Sequence, residues 1–258
     1  MRLDLEGKVA LVGGSTRGIG RAIAVKFAEA GADIVVHGRD AEAGREVVDE
    51  IEKAGRRGHF ETADIRDAGQ VREMVGRVLS RWGKIDVLVA NGAGGFPPPQ
   101  FFSETDPSLY PEYLNTSLFS RLYFVHSVLG SMRARKEGKI VMTTSEAGRF
   151  PTPGESMIGA ADAGLILATK VLAKEFSRWR INVNTIAITV TDRTPAFERT
   201  LRLEGSLGKM FRKAAESVPF WPITADDIAE TALFLASKRS DRITGQTISV
   251  SGGLTFPG

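Results

Sequence analysis

The chain contains no cysteine. Disulfides, thiol catalysis and cysteine-held metals are thereby excluded, and no metal site is expected. The absence fits a reducing compartment, and a cytoplasmic location is expected. Charge of one sign is also lacking: 34 Lys and Arg stand against 31 Asp and Glu, a formal net charge of +3. No long block of like charges occurs, so a nucleic-acid partner has little support. Arg56-Arg57, Arg133-Ala134-Arg135-Lys136 and Lys238-Arg239 read as solvated helix ends and loops. No run of about 20 apolar residues suggests a membrane span, and the short, charged stretch Met1 to Lys8 is unlike a signal peptide. Tyrosine is scarce, with three copies, and none follows Tyr123.

What is present is alternation. Apolar runs at Val9–Val12, Ala32–Val36, Gly58–Ala63, Ile85–Ala90, Lys139–Thr144, Ile181–Ile188 and Gln246–Val250 predict strands. Between them, helical spacing predicts helices over Arg21–Glu29, Asp40–Ala54, Asp67–Trp82, Asp106–Met132, Glu155–Arg178 and Ala225–Ala236. Asp40 and Thr224 are suited to cap two of them, because a short polar side chain accepts from orphan amides. Strands that alternate with helices imply an α/β fold: a doubly wound, Rossmann-type parallel sheet with helices on both faces. With no repeat or linker, one domain over residues 1–258 is expected. Pro97–Phe102 and Pro195–Pro222 are irregular, and 194–222 reads as a substrate lid.

Val12-Gly13-Gly14-Ser15-Thr16-Arg17-Gly18-Ile19-Gly20 joins the first strand to the first helix. Glycines at 14, 18 and 20 let the backbone turn tightly and approach a pyrophosphate, while the helix start offers amide donors. The second strand ends Val36-His37-Gly38-Arg39-Asp40, with no acid at His37-Gly38 for an adenosine ribose. Arg17 and Arg39 instead suit a 2′-phosphate, since guanidinium pairs bidentately with phosphate. NADP(H) is therefore favoured over NAD(H). Asp40 as a ribose ligand would reverse that preference.

The Gly-x-x-x-Gly-Ile-Gly spacing resembles that of the short-chain dehydrogenases/reductases. Ala63-Asp64-Ile65 is similar to the family segment that meets the adenine, and Ala90-Asn91-Gly92-Ala93-Gly94 to its Asn-Asn-Ala-Gly segment. Thr244-Gly245-Gln246 and Ser251-Gly252-Gly253 resemble its closing strand. The resemblance implies a cofactor site of Gly14, Ser15, Thr16, Arg17, Gly18, Ile19, Gly20, Arg39, Asp64, Ile65, Asn91 and Gly92. It also implies hydride transfer between nicotinamide and a carbonyl carbon, assisted by an asparagine, a serine, a tyrosine and a lysine.

By the same resemblance Asn115 and Ser145 occupy the first two of those positions, and Ile158 and Asp162 the last two. Isoleucine cannot transfer a proton. Aspartate reverses the lysine's charge and would raise, not lower, the pKa of a neighbouring acid. Ile188-Thr189 departs from the family's Pro-Gly as well. Glu146 and Glu155 are candidate bases; His126, Tyr110 and Tyr113 read better as packing residues. Three readings stay open: a diverged NADP(H)-dependent oxidoreductase; a non-catalytic subunit or NADP(H)-sensing module; and a lyase or isomerase with Asp162 or Glu155 as base. The family's habit of packing two long helices implies a homodimer or homotetramer, or a hetero-oligomer with an active paralogue. Phe119, Leu122, Val125 and Leu129 with Leu165, Ala168 and Leu172 could form those faces or the core. Phe96, Phe101, Phe102, Phe197, Phe211, Phe220 and Trp221 suggest an apolar small-molecule substrate.

Overall fold

The structure, a computed structural model, describes residues 4–92 and 97–256. Ala93, Gly94 and Phe96, named above for the turn after the fourth strand and for the pocket, lie outside these residues. Seven strands form one sheet: β1 (Val9–Val12), β2 (Asp33–His37), β3 (Gly58–Glu61), β4 (Val87–Ala90), β5 (Gly138–Ser145), β6 (Ile181–Ile188) and β7 (Thr247–Val250). Their order is β3-β2-β1-β4-β5-β6-β7 and every pairing is parallel. All residues of β1, β2 and β4 are buried. Continuous apolar runs such as Val-Ala-Leu-Val are what a strand covered on both faces requires.

Helices α1 (Gly18–Glu29), α2 (Ala41–Lys53), α3 (Ala68–Trp82), α4 (Tyr110–Leu114), α5 (Ser120–Arg135), α6 (Ser156–Phe176), α7 (Pro195–Leu201), α8 (Gly205–Glu216) and α9 (Ala225–Ala236) complete the fold. Successive strand residues point to opposite faces, so two cores form. Ala10, Val12, Ile34 and Val36 pack with Ile23 and Phe27 of α1 and Ile228 and Leu233 of α9. Leu11, Val35 and Leu88 pack with Val71 and Val75 of α3, Val128 and Met132 of α5, and Leu165 of α6. Phe27 and Phe124 are fully buried, and burial of such a side chain stabilises by about 1.5–3 kcal/mol. Strand order reverses between β1 and β4, and a crevice opens outside their carboxyl ends.

Local chemistry sets the helix starts. Asp40 accepts from the Ala43 amide at 3.1 Å. Asp67 accepts from Gly69 and Gln70. Thr224 and Asp227 form a reciprocal capping box ahead of α9. The helix expected over 106–132 is broken. A 3₁₀ turn at Pro107–Leu109 leads into α4, and a π-turn at Asn115–Phe119 separates α4 from α5. The π-turn displaces the usual carbonyl partners, and Thr116 O is taken instead by Ser120 Oγ at 2.7 Å and Arg121 Nη1 at 2.5 Å. No periodicity rule carries a signal for that break.

Helix α6 with its 3₁₀ extension, Ser156–Trp179, has the length and mean hydropathy of a membrane-crossing helix, although Asp162 and Lys170 interrupt its apolar residues. In the fold, its Ala161, Leu165, Ala173 and Phe176 are buried, while Leu167 and Val171 are 63% and 50% exposed. The family-interface residues divide accordingly. Val125 and Leu165 are core. Leu122, Leu129 and Leu172 line a groove of about 580 Å³ with Tyr123 and the exposed His126.

Candidate active site

The glycine turn sits at the strand-order reversal, packed backbone to backbone against the end of β4. A Cβ on Gly14 would lie 2.7 Å from the Gly92 Cα, and one on Gly20 would lie 2.2 Å from the Gly14 carbonyl. Gly14 and Gly18 have φ of +60° and +56°. Asn91 clamps the turn: its Nδ2 donates to the Gly13 and Gly14 carbonyls, and its Oδ1 accepts from Thr143 of β5. The Ser15 hydroxyl donates to Val12 O and accepts from the His37 amide, while the Ser15 amide donates to His37 O. Ser15 therefore shapes the turn and presents neither donor outward.

Beneath the turn lies His37, 2% exposed. Its Nδ1 accepts from the Gly14 amide and its Nε2 faces Ala63 O at 3.2 Å. This arrangement requires a neutral ring with its proton on Nε2. Burial pushes the His37 pKa down to about 4. Unlike α2, α3 and α9, α1 has no side-chain cap, and its first turn carries no acid; Arg17 precedes it in extended conformation. The amides of residues 16–20 donate to no acceptor among the described residues. These free donors, joined to the positive end of a 12-residue helix, form an anion site. The Thr194–Pro195 junction lies over it: a Cβ on Gly18 would be 3.2 Å from Pro195 Cδ.

At the outer end of the crevice, Arg17 pairs with Asp40 at 2.5 Å, both exposed. The Arg39 side chain is exposed, and its charge acts on Asp64. Asp64 is gripped by Arg66 Nε and Nη2, which hold its pKa down to about 2. Arg66 also pairs with Glu112, and its carbonyl accepts from Asn115 Nδ2. Ile65 is buried beside Gly92.

The other end of the crevice holds the remaining positions. Ser145 closes β5, and its Oγ accepts from the Ala147 amide at 3.1 Å. Asn115 opens the π-turn, and its Oδ1 is buried without a protein partner. Ile158 is buried at 8% exposure and Asp162 at 3%. Asp162 Oδ1 accepts from Ser117 Oγ and Thr144 Oγ1, both at 2.8 Å, and the Ser145 backbone donates as well. Burial raises the Asp162 pKa; the Arg121 guanidinium and these donors oppose the rise. Arg121, 6% exposed, has its pKa lowered by burial, with Asp162 as the opposing charge.

Glu146 is placed differently from expectation. It is 3% exposed, and its carboxylate pairs with Arg149 and accepts from Ser249. It ties the turn after β5 to β7. Glu155, just before α6, is half-buried and accepts no side-chain hydrogen bond from a described residue. Burial, then the Asp162 charge, pushes its pKa up to about 7. Tyr113 is buried and donates to Pro98 O, and Tyr110 stacks on Phe102. Phe197 and Phe211 are buried; Phe102, Phe220 and Trp221 are exposed.

Residues 14–255 match the family model described as enoyl-(acyl carrier protein) reductase. The chain is 33% identical to a 3-oxoacyl-[acyl-carrier-protein] reductase of Chlamydia pneumoniae, covering 99% of this chain and 100% of that one. It belongs to the short-chain dehydrogenase/reductase family. Solved members agree in fold. A 7α-hydroxysteroid dehydrogenase complexed with NADH and 7-oxo glycochenodeoxycholic acid superposes with TM-score 0.88 at 29% identity, over 98% of this chain and 96% of that one. A gluconate 5-dehydrogenase of Burkholderia cenocepacia complexed with NADP and tartrate gives 0.87 at 28%, over 98% and 97%. As a short-chain dehydrogenase/reductase, the chain is of an oxidoreductase family whose members use nicotinamide dinucleotides. Arg121, Ser117 and Thr144 were not singled out as site residues in its sequence. A charged residue amid Phe119, Leu122, Phe124 and Val125 was the available signal for Arg121.

Proposed function

We propose that the protein binds NADP(H) and acts on a carbonyl/hydroxyl pair of an apolar small molecule, through a site without the family's tyrosine and lysine. The observation that carries this is the uncapped start of α1, whose amides at residues 16–20 have no acceptor among the described residues. A dinucleotide fits there: close backbone packing at Gly14 and Gly20 shapes the turn of Gly14, Thr16, Arg17, Gly18, Ile19 and Gly20, and the amides at 16–20 are left free. Asp64 and Ile65 would flank the adenine, and Asn91 and Gly92 the neighbouring ribose. The nicotinamide supplies or accepts hydride when bound. Solved relatives are complexed with NADH in one case and NADP in another, and the preference for NADP(H) rests on Arg17 and Arg39. The Arg17–Asp40 pair is exposed and worth little, so a 2′-phosphate can recruit Arg17 at small cost.

Replacing Arg17 and Arg39 together with alanine is expected to weaken NADPH about 100-fold, because a hydrogen bond to a charged group contributes about 1.5–3 kcal/mol. NADH should change by less than about threefold. Calorimetry on the full chain decides it: equal losses for both cofactors would assign the arginines no part in discrimination, and no NADPH binding by the unmodified protein at millimolar concentration would defeat the whole reading. Turnover is expected to be slow. Loss of a positioned general acid costs about 10²–10⁴-fold, so family-typical reduction rates with NADPH and an acetoacetyl thioester or a 7-oxo bile acid would contradict it.

The same reading takes residues 1–258 as one domain, with 194–222 closing over substrate. The outward apolar residues Phe119, Leu167 and Val171 support association through α5 and α6 into a homodimer or homotetramer. A second reading, a lyase or isomerase, is favoured by the presence of two unlike carboxyl groups, Glu155 and Asp162, at one end of the crevice.

A further inference from the structure

The two ends of the crevice are joined through one residue, Arg66. It lies between Asp64, on the nucleotide side, and the π-turn Asn115–Phe119, on the other. Its grip on Asp64 is complete. Nε reaches Oδ1 at 3.0 Å and Oδ2 at 3.2 Å, and Nη2 donates to Oδ2 at 2.6 Å. The Arg66 amide donates to Oδ1 at 3.0 Å. A carboxylate offers about four lone-pair sites, so a further donor to Asp64 must displace one of these contacts.

The remaining arm of Arg66 points the other way. Nη1 donates to Glu112 Oε1 of α4 at 2.9 Å. The same oxygen accepts from Thr116 Oγ1 at 3.3 Å, inside the π-turn. A second link runs through the backbone, where the Arg66 carbonyl accepts from Asn115 Nδ2 at 3.3 Å. With its amide and guanidinium both committed, Arg66 presents that carbonyl as a fixed acceptor and so decides which way the Asn115 amide points. Asn115 Oδ1 is thereby turned aside, buried and without a partner among the described residues. A buried carbonyl oxygen left unpaired is costly, and a ligand hydroxyl or a water would satisfy it. The π-turn is the element able to respond. Its backbone bonds are already rearranged, and such turns recur at functional sites.

We propose that Arg66 is a positioning residue shared by both ends of the crevice: it orients Asn115 and makes that orientation depend on what occupies Asp64. The proposal rests on the reading above in which a nucleotide base lies against Asp64. An amino group that donates to Asp64 takes a lone pair from Arg66. The guanidinium then bonds Glu112 more strongly, and Glu112 carries the change to Thr116 and the π-turn. Arginine suits this role because its planar fork holds one carboxylate while its other arm reaches a second. Lysine is a compact point charge and cannot keep the fork on Asp64 while reaching Glu112.

Hydrogen exchange on the full chain with adenosine 2′,5′-bisphosphate tests the proposal. This probe carries the adenine and a 2′-phosphate but no nicotinamide. At saturating probe, exchange of residues 110–121 should slow by about fivefold or more in the unmodified protein. In Arg66→Lys and Arg66→Met the probe should still bind, and the slowing that it causes should vanish. Glu112→Gln leaves the fork on Asp64 intact and should reduce the slowing too. A merely structural Arg66 would alter exchange without the probe and leave the increment in place. Slowing that survives both Arg66 changes, or none in the unmodified protein with the probe bound, overturns the proposal. So does loss of probe binding in Arg66→Lys, which would make Arg66 a direct nucleotide ligand, and so does binding of NADPH without binding of the probe. Each of these results leaves NADPH binding by the unmodified protein standing. If neither the probe nor NADPH binds it, the nucleotide reading falls and the proposal with it.

Discussion

Restoring the family's residues by the double change Ile158→Tyr with Asp162→Lys is expected to destabilise the protein by about 3–5 kcal/mol, and adding Arg121→Met to recover only part of that loss. The buried Arg121 has Asp162 as its opposing charge. Its Nη1 is spent on Thr116 O and Ser120 Oγ, and its Nε has no partner. Lysine at 162 would place a second cation against that guanidinium and would leave the Ser117 and Thr144 hydroxyls without their acceptor. Removing one member of a buried charge pair is costly because the other remains desolvated. Removing Arg121 relieves the repulsion between like charges but leaves the lysine at 162 buried without a partner, so the recovery is partial. Urea denaturation of the double and triple variants measures the effect. A double variant as stable as the parent would show that Arg121 and Asp162 are not coupled. The triple variant is also the proper background for asking whether tyrosine and lysine revive carbonyl reduction.

Stability between about pH 4.5 and 6.5 is expected to rise more steeply with pH in Glu155→Gln than in the unmodified protein. The His37 pKa is lowered from 6.5 to about 4, so the fold favours the neutral ring. As pH falls below 6.5, the unfolded chain takes up a proton that the folded chain refuses, and stability is lost until about pH 4. That contribution amounts to about 3 kcal/mol. Glu155 acts in the opposite sense. Its pKa is raised from 4.5 to about 7, so its stabilisation is complete below 4.5 and is lost as pH rises toward 7. Asp162, also raised, has the same sign as Glu155. The two slopes oppose each other in the window they share. Carboxylates with lowered values, such as Asp33 and Asp86, lose their contribution only below about pH 3.8. Removing Glu155 tilts the balance toward the histidine slope, with Asp162 still opposing it. His37→Gln, whose amide can still accept from Gly14 and donate to Ala63, should leave only the fall with rising pH. Urea midpoints at half-unit pH steps decide it: parallel profiles in all three proteins would defeat the assignment of opposing groups.

Much of the architecture was legible because it depends on neighbours in sequence. Val9–Val12 and Val87–Ala90 read as buried strands from their apolar runs, and Asp40 and Thr224 act as the helix caps that their side-chain chemistry suggests. The glycine turn was visible from spacing alone, and its packing against Gly92 follows from the strand order. The break at Asn115–Phe119 was not legible. Its lost carbonyl bonds are replaced by Ser120 and Arg121, and a helical repeat does not distinguish those residues from ordinary surface positions. Glu146 reads locally as a crevice residue. Its actual partners are Arg149, three residues away, and Ser249 at the far edge of the sheet.

By itself the sequence determined the fold class, the dinucleotide turn and the two family positions held by Ile158 and Asp162, because periodicity, turn chemistry and motif spacing are local properties. Only the tertiary structure decided what surrounds Asp162. Ser117 and Thr144 reach it from 45 and 18 residues away. The Arg121 charge acts from α5, and Glu155 stands just ahead of α6, seven residues before Asp162. The physical reason is that charges and hydroxyls meet across crossover connections. The proton affinity of a group depends on those meetings and on burial, neither of which is written in the spacing of its own segment.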